Sequence, residues 1–429
     1  MKTFNKYLNK INLVDSSGFK WLVIIFLMNI KLDFRNLNPC KIHVKSSLLH
    51  TFLFLFCLKT IAQTPVYVSG TEGHKSYRIP AIINSGQGEL LAFAEGRVKG
   101  SGDFGDINIV LKKSSDGGKT WGNMTTVVNY DDLQAGNPAP VLDNSDPNFP
   151  KGRIFLFYNT GNNHEGEVRK GRGLREVWYK TSTDGGNTWS ESVNITTQVH
   201  RPNQPNINSN YRFKEDWRSY ANTPGHAMQF EEGKYKGRIY VAANHSAGDP
   251  QKQSTDYDAH GFYSDDHGET FQLSQTINVP GSNEATATAL SNNRLMLNAR
   301  NQKGDIRSRI VAMSSNGGET WDSTYFDHNL PDPVCEGSIL LVGKKKGKSI
   351  LAFCNAADTK NRDNLTLRIS FDEGKTWAIS KVIDKTAQPK SGHDQAAYSD
   401  IVKLVKNKIG ILYEKDEYAQ IVFTAVPWK

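Results

Sequence analysis

An all-β fold is predicted by three features of the 429-residue sequence. Short apolar runs with a period of two, such as Ile107-Asn108-Ile109-Val110-Leu111, recur along the chain and indicate strands. A repeated pattern of turn-forming residues follows five of these runs. No stretch of any length has the periodicity of a helix. The chain is therefore predicted to consist of short strands joined by turns.

The turn pattern is an internal repeat that reads Ser-x-Asp-x-Gly-x-Thr-Trp. In such a turn the Asp carboxylate and the hydroxyl groups can bond nearby backbone amides, Gly can take a positive φ, and the aromatic ring can fold back onto the apolar face. Because each of these groups is used within the turn itself, the repeat is predicted to have a structural role and not to bind sugar or calcium. The copies begin at Ser114, Ser182, Ser264, Ser314 and Ser370, with Phe271 replacing Trp in the third and Asn316 replacing Asp in the fourth.

The repeats predict a β-propeller. Roughly 366 residues of short strands, with one turn motif per unit, fit six four-stranded blades of about 61 residues each. The copies are 68, 82, 50 and 56 residues apart, and residues 200–225 are predicted to be an ordered surface loop inserted in the long second interval. Further strands are predicted at 90–94, 154–158, 239–243, 294–298, 338–342, 350–354, 409–413 and 421–425.

Residues 1–62 are predicted to be an export leader, and residues 63–429 the propeller. Lys41 and Lys45 precede an apolar run at 48–58, and small residues end at Ala62, so we expect cleavage there and export to the periplasm or beyond. A second apolar run, 21–30, is also shorter than the roughly 20 residues that span a bilayer, and no stable span is expected. A start at Met28 and an N-terminal anchor stay open as explanations of that run.

The charge distribution argues against a nucleic-acid-binding surface on the folded part. The formal net charge is +8, of which +7 lies in residues 1–62. Beyond the leader there are two cysteines, Cys335 and Cys354, which allow one disulfide. No Cys/His cluster has the spacing of a zinc site, so neither a metal nor another cofactor is expected.

The repeats, together with Tyr77-Arg78-Ile79-Pro80, resemble the secreted bacterial sialidases (exo-α-neuraminidases) over roughly residues 66–429. The resemblance implies a six-bladed propeller that hydrolyses terminal sialic acids from glycoproteins, glycolipids or oligosaccharides with retention of configuration. Two alternatives stay open. A trans-sialidase would need an aromatic acceptor platform, for which Trp217 and Tyr220 are candidates, and a lectin-like propeller would bind sialic acid without cleaving it.

The resemblance also implies the residues that bind the substrate. Sialic acid carries a carboxylate on its anomeric carbon, and a guanidinium group holds such a planar anion with two parallel hydrogen bonds. Arg78, Arg300 and Arg362 match the family's arginine triad, and each has an ordinary surface or blade-closing salt bridge as its alternative role. Arg97 would line the site near the sugar ring. Asn137 matches a position that contacts the sugar, although a simple turn before Pro explains it nearly as well.

Three further residues are implied for the chemistry. Asp103, six residues after Arg97, matches the family's acid/base, with Asp106 as its competitor. Tyr398 matches the nucleophile, because a neutral phenol avoids the repulsion that a carboxylate would meet at a carbon bearing a carboxylate. A phenol has an ordinary pKa near 10 and needs a base, and Glu284 matches that activator. A core or rim position is the alternative for Tyr398.

Overall fold

Antiparallel strands dominate the part of the chain that the computed structural model describes, residues 62–387, 392 and 394–429. The predicted leader lies outside the described residues except for Ala62. The strands are β1 (Gln63–Val68), β2 (Ser76–Asn84), β3 (Leu90–Arg97), β4 (Ile107–Ser114), β5 (Thr125–Val128), β6 (Gln134–Asp143), β7 (Arg153–Gly161), β8 (Arg175–Ser182), β9 (Val193–Asn194), β10 (Trp217–Asn222), β11 (Met228–Gln229), β12 (Ile239–Ala247), β13 (Tyr257–Ser264), β14 (Gln272–Leu273), β15 (Ser282–Ala289), β16 (Leu295–Asn301), β17 (Ser308–Ser314), β18 (Ser323–Pro331), β19 (Gly337–Lys345), β20 (Lys348–Ala356), β21 (Leu365–Ser370), β22 (Ile379–Asp384), β23 (Ala396–Leu404), β24 (Lys408–Lys415) and β25 (Gln420–Pro427). The helices are α1 (Glu165–Val168), α2 (Thr196–Val199) and a 3-10 helix, Lys252–Ser254.

The described strands form five sheets. Four sheets have four or five strands, in the orders β1-β25-β24-β23, β10-β12-β13-β14 with β11 also on β12, β15-β16-β17-β18, and β19-β20-β21-β22. The fifth has eight strands, in the order β2-β3-β4-β6-β7-β8-β9 with β5 also on β4.

The predicted count of six blades is not met by these sheets. Four of them have the size of one blade, whereas the eight-stranded sheet is twice as large. Its halves, β2 to β5 and β6 to β9, each pair antiparallel internally, and one parallel pair, Ile107 with Gln134, makes them continuous. A single residue pair between neighbouring units leaves no signal in the periodicity of the sequence, so the sequence could not predict this contact.

The sheets are arranged radially around a common axis and the ring is closed. The first described strand, β1, pairs with the last, β25, so both ends of the described chain lie in one sheet. At the axis, Asp400 of β23 accepts hydrogen bonds from the backbone N–H of Ile82 on β2 (2.8 Å) and from the Ser338 hydroxyl on β19 (2.7 Å). Three further hydrogen bonds join neighbouring sheets: Asn222 N–H to Asn159 Oδ1, Ala285 N–H to Thr223 O and Ile339 N–H to Thr286 Oγ1. This closed arrangement is an all-β propeller.

Each turn repeat is held by the same local hydrogen bonds. In the first copy, Asp116 Oδ1 accepts from the backbone N–H groups of Lys119 and Thr120, and Ser114 Oγ accepts from the N–H of Gly118. A side chain at position 118 would place its Cβ 2.0 Å from the ring of Phe423, so the close packing of the turn requires glycine. Bonds of this kind recur around Asp184, Asp266, Asn316 and Asp372.

Two further expectations can be compared with the structure. Residues 200–225 are not only a surface loop, because their last part forms β10, whose Tyr220 is buried against the core. Cys335 and Cys354, the two cysteines of the described residues, are both buried and form no disulfide with each other. Among the described helices, none is long and apolar enough to cross a membrane.

The sheet containing β10, β12 and β13 encloses three buried histidines. His245 and His260 approach each other with their Nδ1 atoms 3.1 Å apart, and the ring of Trp217 stacks on His245. Neither ring nitrogen of His200 has a hydrogen-bond partner among the described residues. Burial lowers the pKa of His200 and of His245 well below the usual value, and lowers the pKa of His260 to about 3.

These histidines predict a loss of stability in mild acid. In the unfolded chain they take up protons near pH 6.5, whereas His260 in the folded protein stays neutral down to about pH 3. The unfolded state therefore binds more protons between these values, and the free energy of unfolding falls as the pH decreases below 6.5, by roughly 1.4 kcal/mol per pH unit for each histidine. Urea denaturation at pH 7.5 and pH 5.5 measures this slope. His260→Gln is expected to reduce the slope, and the exposed His164→Gln to leave it unchanged; equal slopes for the two variants would contradict the prediction.

Candidate active site

A cavity of about 390 Å³ opens at one end of the propeller axis. Elements of all five sheets, or loops leading into them, contribute to its wall. The cavity brings together every site residue predicted from the sequence, namely Arg78, Arg97, Asp103, Asn137, Glu284, Arg300, Arg362 and Tyr398. The competitor Asp106 does not line this cavity.

Irregular pairing of the inner strands aims several of these side chains into the cavity. The antiparallel register shifts between Arg78 and Ala81 on β2, between Gly136 and Ala139 on β6, between Ser282 and Ala285 on β15, and between Ala396 and Ser399 on β23. A bulge bends a strand and redirects a side chain that regular alternation would place elsewhere. Asn137, Glu284 and Tyr398 all lie within such irregular segments.

Tyr398 and Glu284 are directly hydrogen-bonded at the bottom of the cavity. The Tyr398 hydroxyl donates to Glu284 Oε1 over 2.6 Å. Arg300 Nη1 donates to Glu284 Oε2 at 2.6 Å and to the Tyr398 hydroxyl at 2.9 Å. Burial raises the pKa of Tyr398 well above 10, and the charge of Glu284 raises it further, against the opposing effect of Arg300 and Arg362. The resting phenol is therefore protonated and has a carboxylate in position to receive its proton.

Three guanidinium groups surround this phenol. Besides the Arg300 hydrogen bond, Arg78 lies 5.2 Å and Arg362 lies 5.5 Å from the centroid of the Tyr398 ring. Tyr418, which the sequence analysis did not select, stands between the last two: its ring is 4.1 Å from Arg78, and its hydroxyl accepts from Arg362 Nη1 at 3.1 Å. The three cations thus converge on one small region, which suits an anion.

Arg78 is oriented by Glu414, a residue absent from the predicted set. Arg78 Nε and Nη2 each donate to one oxygen of this carboxylate over 3.0 Å. Burial disfavours the charged guanidinium, but Glu414 raises the pKa of Arg78 above its usual value. A signal existed in the sequence, since Glu414 is a charged residue at the end of the apolar run 409–413.

Asp103 stands at the rim of the cavity, and its side chain is 76% exposed. Arg97 Nη1 donates to Asp103 Oδ1 at 2.7 Å, and Arg78 Nη1 lies 3.7 Å from the same oxygen. Partial burial raises the pKa of Asp103, but the charges of Arg97 and Arg78 outweigh it, so that the pKa is lowered. In the empty cavity Asp103 is therefore ionised, and it is free to meet a ligand that enters from solvent.

Glu95 joins the two predicted sugar-contacting residues. Its Oε2 accepts from Arg97 Nε (3.0 Å) and Nη2 (2.6 Å), and its Oε1 accepts from the backbone N–H of Asn137 (2.9 Å). Asn137 has a φ of +53° and a partly exposed side chain. Sequence reasoning missed Glu95, although it is a charged residue only two positions before Arg97 in an apolar strand.

The wall formed by β6 to β13 is polar, and the sequence analysis selected Asn137 from it as a sugar contact and Trp217 and Tyr220 as candidates for an acceptor platform. The ring of Trp217 stacks on His245 and does not line the cavity, and Tyr220 does line it but is only 2% exposed. Neither residue offers the exposed ring of an acceptor platform. The additional residues of this wall include Gln134, Asn159, Glu165, Arg175, Asn244 and Tyr257.

A group of potential metal ligands lies outside the cavity. In the described part of the chain, oxygen or nitrogen atoms of Asp143, Asp146 and His267 lie within 4.8 Å of one another. Each already has a protein partner, because His267 Nδ1 is 2.8 Å from Asp143 and Arg153 donates to Asp146 at 3.0 Å. The sequence did not reveal this group, because His267 is more than a hundred residues from the two carboxylates.

Comparisons with known proteins agree with the resemblance seen in the sequence. The family model described as a BNR repeat-like domain matches residues 88–411. A sialidase of Micromonospora viridifaciens is 33% identical over 369 residues (81% of this chain, 51% of the relative), and a sialidase of Bacteroides fragilis is 28% identical over 386 residues (84% and 64%). The chain thus spans about half to two thirds of the length of these relatives. The solved structure of Hadza microbial sialidase Hz136 has a TM-score of 0.70 and 25% identity, covering 85% of this chain and 68% of that one. The chain belongs to the BNR repeat-like family of β-propellers, together with these sialidases.

Proposed function

We propose that the protein is a retaining exo-α-sialidase that removes terminal sialic acids from glycoproteins, glycolipids or oligosaccharides. The observation that carries the proposal is the Tyr398 phenol, hydrogen-bonded to Glu284 at 2.6 Å and surrounded by the guanidinium groups of Arg78, Arg300 and Arg362. An anomeric carboxylate bound by these cations would bring the anomeric carbon next to the Tyr398 oxygen. The names of the relatives support the same activity.

The first half-reaction forms a covalent intermediate on Tyr398. Its oxygen attacks the anomeric carbon while Glu284 accepts the phenolic proton, so that no phenolate is needed before substrate binds. Asp103 donates a proton to the glycosidic oxygen, whose bond to the anomeric carbon breaks and whose sugar leaves as an alcohol. In the second half-reaction Asp103 accepts a proton from water, which attacks the same carbon. The Tyr398 oxygen then departs and recovers its proton from Glu284. Two inversions give net retention.

Asp103 must be protonated to act as an acid, although it is ionised in the empty cavity. The carboxylate of a bound sialoside would offset the charge of Arg78, which lowers the pKa of Asp103. Substrate binding would also exclude water from the rim. Both effects raise the pKa of Asp103 towards the range that an acid catalyst needs.

Two broader features belong to the same proposal. We propose that the eight-stranded sheet represents two blades in contact, which gives a six-bladed propeller. We also propose that residues 1–62 direct export and that residues 63–429 form the catalytic domain, which suits an enzyme acting on glycoconjugates outside the cytoplasm.

Retention can be tested directly by proton NMR. Sialyllactose is added to the protein, and the anomeric form of the first sialic acid released is recorded before mutarotation. Attack by Tyr398 followed by attack of water predicts the α-anomer, whereas direct attack by water predicts the β-anomer. Early β-anomer would rule out the covalent mechanism, and binding without any release would favour a lectin-like propeller.

The arginine trio predicts that lysine cannot replace arginine. An ammonium group lacks the planar fork that holds a carboxylate with two hydrogen bonds. Arg78→Lys, Arg300→Lys and Arg362→Lys are each expected to reduce kcat/KM for a fluorogenic sialoside by about tenfold or more. Lys112→Arg, at a partly buried position outside the cavity, serves as the control for exchanging lysine and arginine as such. If one of these variants had wild-type kinetics, the substituted arginine would not be a substrate-binding residue.

Asp103 and Tyr398 are expected to respond differently to the leaving group. A natural sugar needs a proton to depart, whereas an acidic phenol leaves without one, and general-acid help contributes roughly 10²- to 10⁴-fold only in the first case. Asp103→Ala is therefore expected to lose far more activity on sialyllactose than on an aryl sialoside. Tyr398→Phe is expected to impair both substrates, because nucleophilic attack accompanies the departure of either group.

Measurement of kcat/KM for the two variants on the two substrates provides the test. Asp106→Ala is the matched control, because Asp106 lies in the same loop but does not line the cavity. Equal losses for Asp103→Ala on both substrates would show that Asp103 is not the acid.

A further inference from the structure

Arg362 is held differently from the other two arginines of the trio. Arg78 and Arg300 each form an ion pair with a glutamate. Arg362 has no ion pair among the described residues, and its one recorded side-chain hydrogen bond there is donated by Nη1 to the Tyr418 hydroxyl over 3.1 Å. Tyr418 is therefore the side chain in position to orient Arg362.

Tyr418 connects Arg362 to a carboxylate. A guanidinium group can only donate, so the phenol oxygen accepts from Arg362, and the phenol proton is donated to Asp394 Oδ2. Burial raises the pKa of Tyr418 above its usual value, so the phenol keeps this proton. A hydroxyl that donates to an anion is polarised and becomes a better acceptor. Asp394 thus strengthens the bond that Tyr418 makes to Arg362.

The ring of Tyr418 lies against a second arginine of the trio. Its centroid is 4.1 Å from the guanidinium carbon of Arg78, which is a cation–π distance. The ring contacts one cation and the hydroxyl contacts the other, so one rigid side chain fixes the separation of two groups that repel each other. Tyr418 does not line the cavity, so it holds these arginines without being part of the cavity wall.

The backbone that carries Tyr418 has an unusual conformation. Residues 416–419 form the hairpin loop between β24 and β25, and Asp416, Glu417 and Tyr418 have φ values of +53°, +53° and +67°. This left-handed region suits Gly or Asn and is unfavourable for a bulky residue such as Tyr. A strained residue persists only where its surroundings fix it, and such residues concentrate at functional sites.

The surroundings of the loop do fix it. Its first two N–H groups donate to the backbone carbonyls of Gln395 (3.0 Å) and Asp394 (2.8 Å). The Ser69 hydroxyl donates to the carbonyl of Tyr418 over 2.7 Å. Asp394 therefore binds this hairpin twice, through its backbone to the loop and through its side chain to the Tyr418 hydroxyl. The loop is built to direct one phenol at two arginines.

We propose that Tyr418 is a positioning residue, which orients Arg362 and sets its distance from Arg78 so that the trio can bind a carboxylate. This inference rests on the proposed sialidase function and adds how the third arginine of that site is held. Cations that are already in place bind an anion without the cost of reorganisation. Without the hydroxyl, Arg362 loses its orientation, and binding of the substrate carboxylate weakens whatever the leaving group is.

Tyr418→Phe tests the role of the hydroxyl, because it keeps the ring against Arg78. The variant is expected to reduce kcat/KM by about tenfold, mainly through KM, since a hydrogen bond to a charged group is lost. The loss is expected to be equal for sialyllactose and for an aryl sialoside, because the two substrates share the carboxylate. This equality separates the effect from that of Asp103→Ala.

Tyr413→Phe is the matched control. Tyr413 is a buried residue of β24 whose hydroxyl donates to Asp384 Oδ2 over 2.7 Å, and it does not line the cavity. The control also removes a bond between a phenol and a carboxylate, and it is expected to leave kcat and KM unchanged. Thermal unfolding of both variants establishes that they are folded when the kinetics are measured.

A double-mutant cycle with Arg362→Met distinguishes positioning from a general structural role. In the Arg362→Met protein the hydroxyl has no guanidinium group to hold, so adding Tyr418→Phe is expected to change kcat/KM by at most about twofold. A general structural role predicts the same tenfold loss in both backgrounds. That result, or wild-type kinetics in folded Tyr418→Phe, would overturn the proposal.

Failure of the proposed function would be recognised separately. If wild-type protein cleaved neither substrate, the hydrolase proposal would fail, and calorimetry with the 2,3-unsaturated sialic-acid analogue would test Tyr418 alone. An affinity that is about tenfold weaker in Tyr418→Phe and unchanged in Tyr413→Phe would support the role of Tyr418. Equal affinities of wild type and Tyr418→Phe, or no binding by wild type, would overturn it.

Discussion

The carboxylate of Glu414 is the interaction on which the candidate site depends. Both oxygens accept from the Arg78 guanidinium, and they also accept from the backbone N–H groups of Ile79 (2.8 Å) and Tyr398 (3.3 Å). One buried carboxylate on β24 thus fixes the Arg78 guanidinium group of the cavity and the backbone of the proposed nucleophile on β23. Such an anion is stable in the interior because charged and backbone donors satisfy it.

This arrangement requires the ring to be closed. Glu414 and Arg78 are 336 residues apart, and they meet because the last described sheet neighbours the first around the axis. The pairing of β1 with β25 holds that junction, and Asp400 bonds to β2 and β19 at the axis. Bulges in the inner strands then turn Glu284 and Tyr398 into the same cavity. The scaffold thus places groups on strands from distant parts of the sequence within hydrogen-bond distance of one another.

The repeats and the chain order of a few motifs predicted much of this from sequence. The turn repeats predicted the strands that precede them, because a strand and its turn are local features. The resemblance supplied eight of the residues that line the cavity. The spacing from Arg97 favoured Asp103 and left Asp106 open as its competitor, and the fold directs only Asp103 to the cavity. Glu95 and Glu414 were missed because they act through contacts with residues distant in the sequence, Asn137 for Glu95 and Arg78 for Glu414. The continuity of β4 with β6 was missed for the same reason, since it depends on one residue pair.

The cavity arginines differ in how their charge is balanced. Each of Arg78, Arg97 and Arg300 has a carboxylate that orients it, so these cations are preorganised but only partly neutralised by their surroundings. Asp103 bonds to Arg97 from the exposed rim, and an entering anion would therefore weaken the interaction that keeps this carboxyl ionised. Arg175, on β8, has no ion pair among the described residues, and its Nη1 donates to the side-chain oxygen of Gln134. An anionic ligand would therefore meet cations on β2, β3 and β16 that are already oriented, and the same ligand would change the charge balance around Asp103.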